Sequence, residues 1–172
     1  LRAYFLFNLA FYYKDVPMPL TTLSVEEANS ISQTSQADVY AQVENDLKDA
    51  IVILPTEYPS GEYGRFTRGA AKTLLSRLYL AQERWADAAK ILKEVIDSKI
   101  YELDRRNGEE SYDKLFQIGG EYSPEMIFCI MGVKDMYTNS RYQYLYPEAA
   151  YGGWHQFSPY NELVKEYFCI DG

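Results

Sequence analysis

From Gly64 to Ile96 the chain runs GRFTRGAAKTLLSRLYLAQERWADAAKILKEVI, in which apolar and polar positions alternate with a helical period twice over. The first pattern places Ala71, Leu74, Leu75, Leu78 and Tyr79 on one stripe, and the second places Trp85, Ala88, Leu92 and Ile96 at helical spacing. A joint of about three residues lets the two stripes bury each other as an αα-hairpin of tetratricopeptide type. Ser76 fills the small position where such helices cross, Tyr79 the aromatic position near the end of the first helix, and Ala88 the early alanine of the second. Lys72 stands where that pattern often has Trp, and no proline follows the second helix.

Two further helices precede the hairpin. Leu1 to about Tyr13 (LRAYFLFNLAFYY) is apolar nearly all round, which predicts burial on most sides, and it stops at Asp15, Val16 and Pro17. A polar loop rich in Ser and Thr is expected to Thr34. Ser35, with Asp38 three residues on, makes a capping-box-like start for a helix carrying Val39, Val43, Leu47, Ala50, Ile51 and Leu54, and Pro55 ends it. These two helices are expected to pair antiparallel and stack on the hairpin, so that four helices share one core. Thr56 to Phe66 reads as a loop and Thr67 as the cap of the next helix.

After Ser98 the helical signal fades. Tyr112 to Phe116 predicts a short helix, and Glu125 to Met131 a short buried strand or extended segment. Gly132 to Phe157 is irregular, and a last helix covers about Pro159 to Phe168, opened by Ser158 and Pro159. The expected fold is mainly α: stacked tetratricopeptide-like helix pairs with long irregular loops and at most a short strand element. Residues 1–100 would be the scaffold and residues 101–172 a loop-rich region ending in a helix, within one partial domain. Leu1 has no cap or initiator Met, and Gly172 falls just past a helix, so the expectation is an excerpt of a longer protein.

Composition narrows the function. The 172 residues are 47% hydrophobic and 24% charged, enough for a core, and the net charge of -8 opposes a phosphate-neutralising surface, so nucleic acid is set aside. No apolar run approaches the roughly 20 residues of a membrane helix. Cys129 and Cys169 lack metal or disulfide spacing and read as inert buried thiols. His155 is the single histidine, no nucleophile elbow is present, and no zinc or calcium set appears. The carboxylates at Glu109 and Glu110, and at Asp46 and Asp49, read as solvated faces. Neither catalysis, metal nor cofactor is expected.

What is unusual is aromatic: 17 Tyr, 8 Phe and 2 Trp make 16% of the chain. Tyr137, Tyr142, Tyr144, Tyr146, Tyr151, Trp154, Phe157 and Tyr160 crowd the segment from Tyr137 to Tyr160, with Asn139, Arg141, Gln143 and Gln156 between them. A sugar ring offers an apolar C–H face and a rim of hydroxyls, so aromatic platforms edged by planar hydrogen-bonding groups suit it. The candidate ligand-binding residues are therefore Asn139, Arg141, Tyr142, Tyr144, Tyr151, Trp154 and Gln156. The competing reading is a long loop that pins itself to the helices, with Tyr142, Tyr144 and Tyr146 as one strand face.

Taken in order, these segments resemble the SusD/RagB family of Bacteroidetes surface nutrient-binding lipoproteins. RAYFLFNLAFYYKDVP looks like the family's aromatic helix and GDVP-like turn, and DVYAQVENDLKDAIVILP (Asp38 to Pro55) like its EVY..I..DL..A...LP helix. GRFTRGAAKTLLSRLYL (Gly64 to Leu80) resembles GR.TKGAA..LLARVYL, while YDKLF (Tyr112 to Phe116), SPEMIFCI (Ser123 to Ile130) and NELVKEYFCIDG (Asn161 to Gly172) resemble its later elements. The resemblance implies a SusD-like α/α superhelix and a non-enzymatic protein on the extracellular face of the outer membrane. It implies capture of glycan, or of peptide as in RagB-like members, and delivery to a SusC-like TonB-dependent transporter. The lipid anchor would lie outside this chain, at neither Cys129 nor Cys169. It also makes Gly64 to Gly69 a structural corner, small at Gly69 and Ala70 because another helix passes closely, with Arg65 and Arg68 on nearby carbonyls or acids and not on a bound anion. A generic tetratricopeptide scaffold for protein partners, or a hydrolase, are the alternatives outside the family.

Overall fold

The structure is a computed structural model and describes residues 1–59, 62, 64–116 and 120–130, all within one compact unit, Leu1–Met131. Six α-helices are present among them, α1 (Arg2–Tyr13), α2 (Val25–Ser30), α3 (Gln36–Ile53), α4 (Arg68–Ala81), α5 (Trp85–Asp97) and α6 (Ser111–Leu115), with two 3-10 turns at Gly108–Glu110 and Gly120–Tyr122. The packing is sequential, α1 on α3, α3 on α4 and α4 on α5, which is the expected pair of pairs around one core. No strand occurs among the described residues; Val16 and Thr34 make an isolated antiparallel bridge that closes the α1–α3 connection.

The periodic positions explain the core. Leu6, Phe7 and Ala10 of α1, Val39, Val43 and Leu47 of α3, and Leu74, Leu75 and Leu78 of α4 are all buried together. Ser76 is buried as the crossing residue and satisfies its hydroxyl by donating to the Thr73 carbonyl at 2.7 Å. Thr67 caps α4, its side chain accepting from the Ala70 N–H at 3.2 Å.

Three expectations change. First, α1 is buried along one stripe only; Phe5, Leu9, Phe11, Tyr12 and Tyr13 are exposed, because α3 and α4 are the only helices that pack on it among the described residues. Second, the stripe of α5 that meets the core is Ala88, Ile91 and Val95, whereas Trp85 and Ile96 are 62% and 63% exposed. The helix carries two apolar stripes, and periodicity alone does not say which one faces α4. Third, the Ser/Thr-rich stretch expected as a loop contains α2. There Ser24 accepts from the Glu27 N–H at 3.2 Å while the Glu27 carboxylate accepts from the Ser24 N–H at 2.8 Å, a complete capping box on a helix too short to show a period. At α3 the cap is half a box: Ser35 accepts from the Asp38 N–H and donates to its carboxylate.

A polar cluster ties α3 to the hairpin turn. The Glu44 carboxylate accepts from Arg84 at 2.7 Å and from Tyr79 at 3.1 Å and pairs with Lys48 at 2.8 Å, and the Arg84 guanidinium lies 4.2 Å from the centroid of the Tyr79 ring. Burial pushes Glu44 up, but the hydrogen bonds from Arg84, Lys48 and Tyr79 and the Arg84 charge outweigh it and hold its pKa at about 2.

Candidate ligand-binding site

All seven sequence-predicted ligand residues, Asn139, Arg141, Tyr142, Tyr144, Tyr151, Trp154 and Gln156, lie outside the described residues, as do His155, Cys169 and the last predicted helix. Among the described residues, the concavity with the most suitable lining is a cleft of about 270 Å³ walled by three separate segments. The α3–α4 loop supplies Tyr58, Arg65 and Thr67, the chain after α5 supplies Tyr101, and the run from Ser123 to Cys129 supplies Phe128.

Each wall is held by a specific contact. Gly64 turns the loop in a left-handed conformation at φ 87°, delivering Arg65 and Phe66 to the start of α4. Arg65 pairs with Glu62 at 3.2 Å and stands 5.5 Å from the Tyr58 ring centroid, while Arg68 donates to the Leu54 carbonyl at 3.2 Å. The two arginines therefore serve an acid and a carbonyl, as a structural corner requires. What Gly69 makes room for is not a passing helix but the Tyr101 ring: a Cβ at Gly69 would sit 2.6 Å from Tyr101 Cε2. The Tyr101 hydroxyl shares a 3.2 Å hydrogen bond with Thr67 Oγ1, joining the cap of α4 to the cleft wall.

The third wall is the run expected as a short buried strand or extended segment. It is irregular and half-buried, because no neighbouring strand pairs with it among the described residues; side chains and a turn fix it instead. Phe128 stacks on Phe66 at 4.2 Å between centroids and 15° between planes, and Tyr4 of α1 adds its ring 5.7 Å from Phe66. At the other end Ser123 donates to the Asp104 carboxylate at 2.9 Å, and the Asp104 N–H donates to Glu125 at 2.6 Å. Arg106 grips the same carboxylate through Nε at 2.9 Å, and its side-chain and backbone hydrogen bonds, with that of Ser123, hold Asp104 well below the usual carboxylate range. Cys129 also lines the cleft and is half-buried, more accessible than an inert core thiol. None of these pairings has a sequence period, and only the turn glycine and the aromatic content hinted at them.

The cleft offers aromatic faces edged by hydroxyl, carboxylate and guanidinium groups. No group of three or more His, Cys, Asp or Glu side chains placed to hold a metal occurs among the described residues. No helix among them is long and apolar enough to cross a membrane.

Comparison with known proteins fits this architecture. The SusD-like family described as "Starch-binding associating with outer membrane" matches residues 1–80. A crystal structure of a SusD-like carbohydrate binding protein from Bacteroides fragilis superposes with a TM-score of 0.78 at 31% identity over 89% of this chain. The chain resembles SusD-like proteins in fold and sequence. A SusD-like protein of Formosa agariphila is 24% identical over 136 residues, 79% of this chain. A laminarin binding SusD-like protein matches 74% of it at 33% identity with a TM-score of 0.64. The chain spans 25% of the Formosa relative, 29% of the Bacteroides fragilis protein and 28% of the laminarin binder.

Proposed function

We propose that the protein captures carbohydrate at the extracellular face of the outer membrane and delivers it to a SusC-like TonB-dependent transporter, as a binding protein and not an enzyme. The observation that carries the reading is the likeness in fold and sequence, over 89% of the chain, to a SusD-like carbohydrate binding protein. The match of residues 1–80 to a family described as "Starch-binding associating with outer membrane" supports the location. The aromatic and planar polar residues Asn139, Arg141, Tyr142, Tyr144, Tyr151, Trp154 and Gln156 are proposed as ligand contacts on their chemistry alone.

Affinity electrophoresis of the intact protein through gels containing laminarin, soluble starch or alginate tests the reading: at least one polymer retards migration, and no reducing sugar is released. Failure of every glycan to retard it, beside clear binding of peptides, would overturn the carbohydrate reading in favour of a peptide-capturing relative. Release of sugar would overturn the non-enzymatic one. Co-purification of a TonB-dependent porin from detergent-solubilised outer membranes tests the delivery step.

A further inference from the structure

We infer that the cleft between Tyr58, Tyr101 and Phe128 is a saccharide subsite for a neutral sugar ring, additional to the residues proposed from Tyr137 to Tyr160. The inference rests on the carbohydrate reading above and adds a place and a charge preference to it.

Size comes first. At about 270 Å³ the cleft lies just below the ~300–1,000 Å³ of ordinary ligand pockets, room for about one ring and not for a folded peptide. Its lining is two-sided in the way a pyranose is. Three half-buried aromatic residues, brought from three parts of the chain, present flat apolar surface. Beside them the exposed Glu57 carboxylate has no ion-pair or hydrogen-bond partner among the described residues, which leaves its oxygens free to accept sugar hydroxyls. Arg65, already oriented by Glu62 and by the Tyr58 ring, retains N–H donors beyond the one its ion pair uses.

Charge then selects among sugars. Two carboxylates, Glu57 and Glu62, and one guanidinium, Arg65, line the cleft, and every other lining residue is neutral, so the cleft carries one net negative charge. A uronate or sulfate ester would meet repulsion there, and a neutral hydroxylated ring would not.

The walls are also fixed before any ligand arrives. Thr67 holds the Tyr101 hydroxyl, the missing Cβ of Gly69 seats its ring, and the Phe66 stack with the Asp104 clasp holds Phe128. Little side-chain entropy remains to be lost by the Tyr101 and Phe128 rings on binding, a condition that favours useful affinity in a small site.

Cys129, in the same lining, supplies a readout that needs no substitution. In the intact protein, saturating laminarin or soluble starch slows iodoacetamide alkylation of Cys129, followed by peptide-resolved mass spectrometry, and alginate does not. Tyr58→Ala weakens binding of the better neutral glycan about tenfold in titration calorimetry with unchanged circular dichroism, and Arg65→Gln weakens it less. Unchanged affinity in both variants, or a preference for alginate, overturns the subsite and leaves the carbohydrate reading standing. Absence of binding to every glycan by the unsubstituted protein overturns both.

Discussion

The helical stack and the cleft walls are held together by different means. In the stack, contacts repeat: Leu6, Val39, Leu47, Leu74 and Leu78 meet because each recurs on a helical face, and burial of apolar area supplies the stabilisation. In the cleft, each contact occurs once and joins residues far apart in the chain, such as Phe66 with Phe128 or Asp104 with Ser123. Losing one member of the stack removes buried apolar area and leaves a cavity, so the change is felt as stability. Losing a contact of the half-exposed cleft removes little buried area, so small changes there should alter shape and binding before they alter stability.

The largest effect belongs to the stack. Leu78 is fully buried, and Leu78→Ala is expected to cost about 3–5 kcal/mol in urea denaturation, with the slope unchanged if the stack still unfolds as a unit. A loss below about 1 kcal/mol would mean the four helices are not one cooperative core.

Gly69→Ala comes next, because it sits on the line between the two regions. The new methyl collides with the Tyr101 ring, and the expected cost is about 1–3 kcal/mol together with loss of the Thr67 hydrogen bond. Removing the ring as well, in Gly69→Ala with Tyr101→Ala, should recover most of the loss attributable to the collision, since alanine suits a helix better than glycine. If the double variant is no better than the sum of the singles, Tyr101 is not what Gly69 accommodates.

Smallest is an electrostatic effect inside the stack. Glu44 has its pKa lowered from 4.5 to about 2 in the folded chain, so its contribution is fully present above about pH 4.5 and is lost as pH falls toward 2. Thermal melts between pH 6 and 2.5 should therefore show a steeper acid decline in the parent than in Glu44→Gln, whose midpoint at pH 6 is lower. Parallel curves would show that Arg84, Lys48 and Tyr79 do not stabilise the ionised form.

This contrast also explains what could be read from the chain itself. The stack was legible because its packing is written as a period: the spacing picks out the buried Val39, Val43 and Leu47 of α3 and Ala71, Leu74, Leu75, Leu78 and Tyr79 of α4, although it omits the buried Tyr40 and its Ala50, Ile51 and Leu54 are only half-buried; Thr67 and Ser35 cap where a polar residue precedes the apolar run. Legibility failed where one helix has two apolar stripes, as in α5, and where a helix is too short for a period, as in α2. In the cleft, Tyr101 over Gly69 and Arg106 on Asp104 depend on loops meeting in space, and no local pattern encodes that meeting. The family likeness identified the region from Ser123 to Ile130 as an element in its own right, but not that an aromatic stack and a carboxylate clasp would take the place of strand pairing.

The outward position of Trp85 has an optical consequence. The chain contains 2 tryptophans, Trp85 and Trp154, and Trp85 stands 62% exposed on α5. Its indole emits as a water-contacting fluorophore whatever occupies the cleft, since it is not among the cleft's lining residues. Replacing Trp85 by Phe, at an exposed position outside the shared core, leaves Trp154 as the one tryptophan of this chain, excited selectively at the red edge where the 17 tyrosines do not absorb. Any spectral shift on adding a glycan then reports one side chain.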